Sequence, residues 1–173
     1  MILTGSQIRQ EVLEGNIIID PFNESRVNPN SYNYSLGDEY RELGPIDGFY
    51  DTKGGDKIQP THKIPAEGLT LLPGHLYLCN TRERLGSKTF VTSLIGKSSM
   101  GRLGLFLQAS ADLGHQGEIH RWTLELSCCI PIKIYSEMVI GQVTFWLTLG
   151  ERLPSNGYYS EYDVPIQRRD GLR

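Results

Sequence analysis

Leu69-Thr70-Leu71-Leu72-Pro73-Gly74-His75-Leu76-Tyr77-Leu78-Cys79-Asn80 is the stretch that decides the fold class. Residues 69–72 and 75–80 are apolar runs too short for helices, and Pro73-Gly74 is a chain-turning dipeptide. The stretch therefore reads as two short strands with a turn between them. The same punctuation recurs downstream, where 90–95, 103–108, 121–129, 132–135 and 139–149 are all strand-like. Upstream, residues 31–36 alternate in polarity, and Ile17-Ile18-Ile19 before Pro21 is a buried-strand candidate. The polar region from Asp38 to Thr61 contains Gly44, Gly48, Gly54 and Gly55 and reads as a long loop or hairpin. Only the N-terminus has a helical pattern. Thr4 is placed as N-cap with Gln7 reaching back to it, Ile8, Val12 and Leu13 form a stripe, and Gly15 is the stop. Short strands at regular spacing predict a mostly β domain, a distorted barrel or jelly-roll-like fold with one N-terminal helix.

A chain of 173 residues is most simply one domain with a sizeable core. We place that domain at 1–150, followed by a polar tail at 151–173 with Tyr158, Tyr159 and Tyr162. The tail fits an ordered lid or a disordered end equally well. A net charge of -3 argues against bulk nucleic-acid binding, which needs a basic face. No apolar run approaches the roughly 18 residues of a membrane span. No basic-then-apolar leader opens the chain, so no signal peptide and no membrane partner are expected. The three cysteines are odd in number, and Cys128-Cys129 are adjacent. That pattern suits reduced thiols in a cytoplasmic protein better than a disulfide framework, and Cys128 and Cys129 read as small buried hydrophobes.

Chemistry concentrates in two places. Gly96-Lys97-Ser98-Ser99-Met100-Gly101-Arg102-Leu103-Gly104 holds two adjacent hydroxyls, two cations and three glycines. Such a segment can hold an anion, with glycines letting backbone N–H groups approach it. Further on, Thr123-Leu124-Glu125-Leu126 reads as a strand, so Glu125 faces away from the two leucines. A half-buried carboxylate is a suitable general base. Alone, the first segment is usually a turn and the second a solvated glutamate. Together they suggest nucleotide chemistry. The zinc signature of most nucleobase deaminases, His-x-Glu with Pro-Cys-x-x-Cys, does not occur. His115 and His120 flank a Gly-containing loop, but two histidines without a third ligand are more often surface or hydrogen-bonded residues. Trp122 and Trp146 read as core or interface aromatics.

These motifs, in this order, resemble the dCTP deaminase family of the dUTPase-like superfamily. Met1-Ile2-Leu3-Thr4, Ile17 to Phe22, Val27 to Asn33 and Leu36-Gly37-Asp38 look like that family's opening, with Asn33 where it usually has Asp. Residues 96–104 match its Gly-Arg-Ser-Ser-x-x-Arg-x-Gly, with Lys97 in place of Arg. Thr123-Leu124-Glu125-Leu126 matches its Thr-Leu-Glu-Leu, and Met138 to Phe145 its Met-x-Ile-Gly-Gln-Leu-x-Phe. The resemblance covers about residues 1–149. It implies a dUTPase-type fold, a homotrimer with sites between subunits, and hydrolytic deamination of a deoxycytidine nucleotide. The substrate implied is dCTP with Mg2+ on its phosphates, the products are dUTP and ammonia, and no zinc takes part. It assigns proton transfer to Glu125. Ser98, Arg102 and the backbone carbonyl of Ala111 would position the water and stabilise the transition state. Lys97, Ser99 and Gln142 would contact the phosphates.

Two departures keep alternatives open. Placed without gaps, the family loop Ala-Gly-x-Ile-Asp-Pro-Gly-x-x-Gly falls on Ala111 to His120, so the Asp that dUTPases use to activate water becomes His115. A gapped placement gives that role to Asp112. The family's Lys-Tyr-x-x-Gln closing segment becomes Glu161-Tyr162 with Pro165 at the Gln, leaving Arg168 or Arg169 as substitute cations. The alternatives are dUTP pyrophosphatase activity (alone or coupled), a changed substrate such as dCMP, and a catalytically weak nucleotide-binding regulator.

Overall fold

The computed structural model describes residues 1–44, 58–107, 111–151, 153 and 163–167. Its architecture is mostly β, as the short-strand pattern predicts. The described elements are α1 (Gly5–Leu13), β1 (Ile17–Asp20), a 3-10 turn (Glu24–Arg26), β2 (Tyr32–Leu43), β3 (His62–Lys63), β4 (Leu69–Leu71) and β5 (Leu76–Thr81). They continue with β6 (Arg84–Ser87), β7 (Val91–Gly96), α2 (Ser98–Gly101), β8 (Leu105–Leu107), β9 (Leu113–Gly114), β10 (Ile119–His120), β11 (Thr123–Cys128), β12 (Ile132–Ile134) and β13 (Val139–Trp146).

The main sheet runs β8-β11-β5-β2-β13-β7-β9, with β3 alongside β2. β1-β6-β10 and β12-β4 form two smaller sheets. The main sheet curls until β7 and β8, near its opposite ends, meet. A side chain at Gly96 would stand 3.6 Å from Leu107 Cδ1. The one-turn helix α2 spans this seam. Its segment reads as a turn from its glycines, so a second, very short helix is an addition to the single helix expected.

Inside the curl lie Tyr32, Tyr34, Leu36, Tyr77, Cys79, Leu94, Leu105, Leu124, Leu126, Val143 and Phe145, all buried. Each comes from the inward phase of a strand. In β13 the phase slips once. Ile140 and Gly141 are both buried, and a bulge between Val139 and Gly141 absorbs the extra residue. Gly141 packs against the Tyr34 ring, where any side chain would collide. The outward phase resumes at Gln142.

Some local expectations are corrected. Thr4 caps α1 by accepting from the Gln7 backbone N–H at 3.4 Å, but the Gln7 side chain turns forward to Glu11 at 2.8 Å. The helical i,i+4 partner displaces the capping-box contact. The strands around Pro73-Gly74 do not pair with each other, because β4 joins β12 while β5 enters the main sheet. β2 extends through the polar residues to Leu43, since β5 supplies backbone partners there. Cys128 is buried but Cys129 is exposed, one residue past the end of β11.

Among the described residues, one carboxylate lies fully in the interior. Glu83 has no exposed side-chain surface and receives Arg26 Nη1 at 2.7 Å. Its second oxygen accepts the Ser35 backbone N–H at 2.8 Å, and Arg26 also donates to Ser35 Oγ. The pair ties the turn after β1 to the centre of β2 and to the β5–β6 connection.

Candidate active site

α2 and its flanks gather four of the expected residues into a single turn at the seam. Lys97 precedes the helix in extended conformation. Arg102 follows it, with its N–H donating to Ser98 O at 3.0 Å. Ser98, Ser99 and Arg102 are exposed, and Lys97 is half-buried. Gly104, at φ +86°, ends the turn in a left-handed conformation that favours glycine, and its carbonyl accepts the Cys129 N–H at 2.9 Å. The turn thereby delivers the chain into the edge strand β8, which pairs with β11.

Glu125 sits on β11, half-buried, between the fully buried Leu124 and Leu126. Its side chain thus faces outward, as the sequence predicts. Its register partner on β5 is Leu78. Among the described residues, no hydrogen bond or ion pair joins Glu125 to Ser98 or Arg102. The chain brings Lys97, Ser98, Ser99 and Arg102 together, and places Glu125 on the second strand from the seam.

Gln142 lies on the other side of the seam, in register with Ile95 of β7 and Asn33 of β2. Ser31 Oγ donates to Gln142 Oε1 at 2.8 Å, and Asn28 Nδ2 donates to Ser31 Oγ at 3.2 Å. This relay engages the acceptor end of the Gln142 amide. Asn28 Nδ2 also donates to Asn33 Oδ1 at 2.9 Å, so Asn33 belongs to the same polar cluster.

Ala111 is exposed and opens the described stretch before β9. Asp112 Oδ2 accepts from Ser93 Oγ at 2.6 Å, which occupies the residue that a gapped placement would make catalytic. His115 is exposed in the β9–β10 turn. His120 is buried, its ring tilted 34° against that of Trp122 at 4.2 Å between centroids. Its Nδ1 lies 2.9 Å from the Arg121 carbonyl, which fixes the proton on Nδ1 because a carbonyl only accepts. Among the described residues, no three His, Cys, Asp or Glu side chains cluster to hold a metal ion.

Burial lowers the His120 pKa below 6.5, with the Arg121 carbonyl, Glu118 and Asp163 raising it and Arg84 lowering it. The unfolded chain therefore binds the extra proton first. Stability from the neutral ring is fully present above about pH 6.5 and is lost as pH falls below it. Urea midpoints between pH 7.5 and 5.0 should decline for the native protein and decline less for His120→Phe, which keeps an aromatic ring against Trp122. Identical slopes would remove His120 as the source.

The tail supplies the least expected feature. Glu161, Tyr162, Arg168 and Arg169 lie outside the described residues, but residues 163–167 are docked on the outer face of β2, β5 and β11. Asp163 Oδ1 accepts the Arg121 N–H at 2.9 Å and its carbonyl accepts from Asn80 Nδ2 at 3.2 Å. Arg41 Nε donates to Pro165 O at 2.8 Å, and Ile166 N–H donates to Thr123 Oγ1 at 3.1 Å. Gln167 Oε1 accepts the Gln59 N–H at 2.8 Å. No local sequence signal links Arg41 or Thr123 to residues so distant in the chain.

The chain is similar to known proteins in sequence and in fold. Residues 2–148 match the family model described as dCTP deaminase-like. A Rhodopirellula baltica protein named dCTP deaminase is 44% identical over 87% of this chain and 74% of its own length. A Clostridium beijerinckii protein named "dCTP deaminase, dUMP-forming" is 42% identical over 92% of this chain and 90% of its own. In fold, the chain is similar to a solved 2'-deoxycytidine 5'-triphosphate deaminase from Agrobacterium tumefaciens, with TM-score 0.65 and 20% identity over 85% of this chain. It spans about half (48%) of that longer protein. With the match running from the N-terminal strand contact to the end of β13, this chain belongs to the dCTP deaminase-like family.

Proposed function

We propose that the protein hydrolyses dCTP to dUTP and ammonia. The observation that carries this reading is Glu125, held outward and half-buried on β11 in a chain of this family. Water attacks C4 of the cytosine while Glu125 takes its proton and passes it to N3. A second transfer through Glu125 protonates the amine, which leaves as ammonia. Ser98, Arg102 and the Ala111 carbonyl orient the water and offset charge in the transition state. Lys97, Ser99 and Gln142 hold the phosphates. The Ser31 contact supports the role of Gln142, because it leaves the donor end of the amide for an anion.

We propose base chemistry without zinc, because the His-x-Glu and Pro-Cys-x-x-Cys signature of the zinc deaminases does not occur in the sequence. Mg2+ bound to the phosphates would offset their charge. Ser98 and Arg102 are exposed, and among the described residues neither bonds to Glu125, which supports a site completed by a second copy, in a homotrimer. Ile2, Ile95, Leu113 and Trp146 leave exposed apolar surface for such a contact. Among the described residues no helix is long and apolar enough to cross a membrane, and we place the enzyme in the cytoplasm.

The Clostridium relative's name includes dUMP formation. In the gapless placement, His115 stands where dUTPases carry their water-activating Asp, so we take dUTP as the product released. The deciding experiment incubates the protein with dCTP and Mg2+ and scores ammonia, pyrophosphate and product base separately. Ammonia without pyrophosphate is expected, and it should survive a chelator that strips zinc while Mg2+ is maintained. In the same assay Ser98→Ala and Arg102→Ala should mainly lower kcat, while Lys97→Ala should mainly raise KM. Loss of activity with zinc alone, or a KM effect only from Ser98→Ala, would overturn these assignments.

A further inference from the structure

The docked tail segment buries residues that the core does not. Along β5, Tyr77 and Cys79 face inward, so Leu76, Leu78 and Asn80 face outward. Leu76 is 37% exposed, as an outward residue should be, yet Leu78 is 6% exposed and Asn80 is fully buried. Residues 163–167 lie on this face, with the Asp163 carbonyl on Asn80 and the Pro165 carbonyl on Arg41. Arg41 and Glu125 are the two register partners of Leu78, one on each side of it. The segment therefore binds Arg41 at one end of the row that contains Glu125, and Asn80 and Thr123, which are register partners of each other. Pro165 and Gln167 are themselves buried.

The contact nearest the carboxylate is specific. Thr123 and Glu125 are two residues apart on β11 and share its outward face, and Thr123 Oγ1 accepts the Ile166 N–H at 3.1 Å. The same segment holds the start of β11 through Asp163 and the Arg121 N–H. Two of its polar contacts thus fall within four residues of Glu125, one on β11 and one just before it.

We propose that Asp163–Gln167 is a strap that belongs to the reaction centre of its own chain, with Thr123 as a positioning residue. The strap fixes the strand that carries Glu125 from outside and covers one flank of the carboxylate's row. Its work is on the proton-transfer group, not on the phosphates. The inference rests on the deaminase reading of Glu125.

The test is a double-mutant cycle on Thr123 and Ile166. Thr123→Val keeps the shape and removes the acceptor, while Ile166→Pro removes the donor. Each should lower kcat for dCTP about 10- to 100-fold with KM nearly unchanged, the range that small misplacement of a reacting group produces. The double variant should be no slower than the worse single one, because both remove the same bond. Thr123→Ser should restore most of the rate. Amide exchange at residues 163–167, measured without substrate, should rise in Thr123→Val and return in Thr123→Ser. Raised exchange with an unchanged kcat would make the strap merely structural and overturn the proposal. Unchanged exchange would show that the Thr123 bond does not hold the strap, with the same consequence. If the native protein releases no ammonia from dCTP, the reading of Glu125 fails and the inference falls with it.

Discussion

Glu125→Gln should bind dCTP nearly as well as the native protein and release ammonia about 10²- to 10⁴-fold more slowly. The side chain stands outward between two buried leucines, so the amide fits the same space and leaves the core undisturbed. What it loses is the ability to accept a proton from water and return it to the ring. Binding measured by calorimetry and turnover measured by ammonia release separate the two effects. Near-normal turnover would remove Glu125 from the chemistry. A matched loss of binding and turnover would make it a substrate contact instead.

The second large effect is on stability. Glu83→Ala should destabilise the fold by about 3–5 kcal/mol, the usual consequence of leaving one partner of a buried ion pair alone. Arg26 would lose its carboxylate, and the Ser35 N–H would lose its acceptor in the interior. Glu83→Gln retains an acceptor for one of these groups and should cost less. Equilibrium urea unfolding checks both variants. An Ala variant as stable as the native protein would mean that water replaces the carboxylate, so the pair contributes little.

The strands that carry the candidate site are legible because their own residues declare them. β11 shows alternation around Glu125, and β13 and β5 show apolar runs bounded by turn residues. Such patterns report burial on one face, and burial fixes the direction of the intervening side chains. Pairing partners are less legible. Leu69–Leu71 gives no hint that it will join Ile132–Ile134 and not its neighbour across Pro73-Gly74. Arg84–Ser87 has no strand pattern at all. It becomes a strand because β1 and β10 flank it, with Gly86 pressed against the Glu118 carbonyl. The polar half of β2 is likewise decided by its neighbours. Ser98 to Arg102 is visible as a cluster, but its place at the seam depends on the curl of the whole sheet. The strap is invisible for the same reason. Arg41, Asn80, Thr123 and residues 163–167 meet only after every intervening strand has been laid down.

The seam also sets the order in which the molecule can assemble. β7 and β8 are neighbours in sequence, joined through residues 97–104, and such a short link closes with little loss of chain entropy. Along the hydrogen-bonded path, however, β11, β5, β2 and β13 stand between them. The turn's own hydrogen bonds are local, from Met100 N–H to Gly104 N–H, but its place between β7 and β8 is fixed only when those long-range pairings are complete. Chains dominated by such pairings fold slowly. The seam position of the turn at 97–104 therefore depends on the finished sheet. If the turn holds nucleotide as proposed, nucleotide acts on the finished structure. By mass action it should slow the loss of the closed form without speeding its formation.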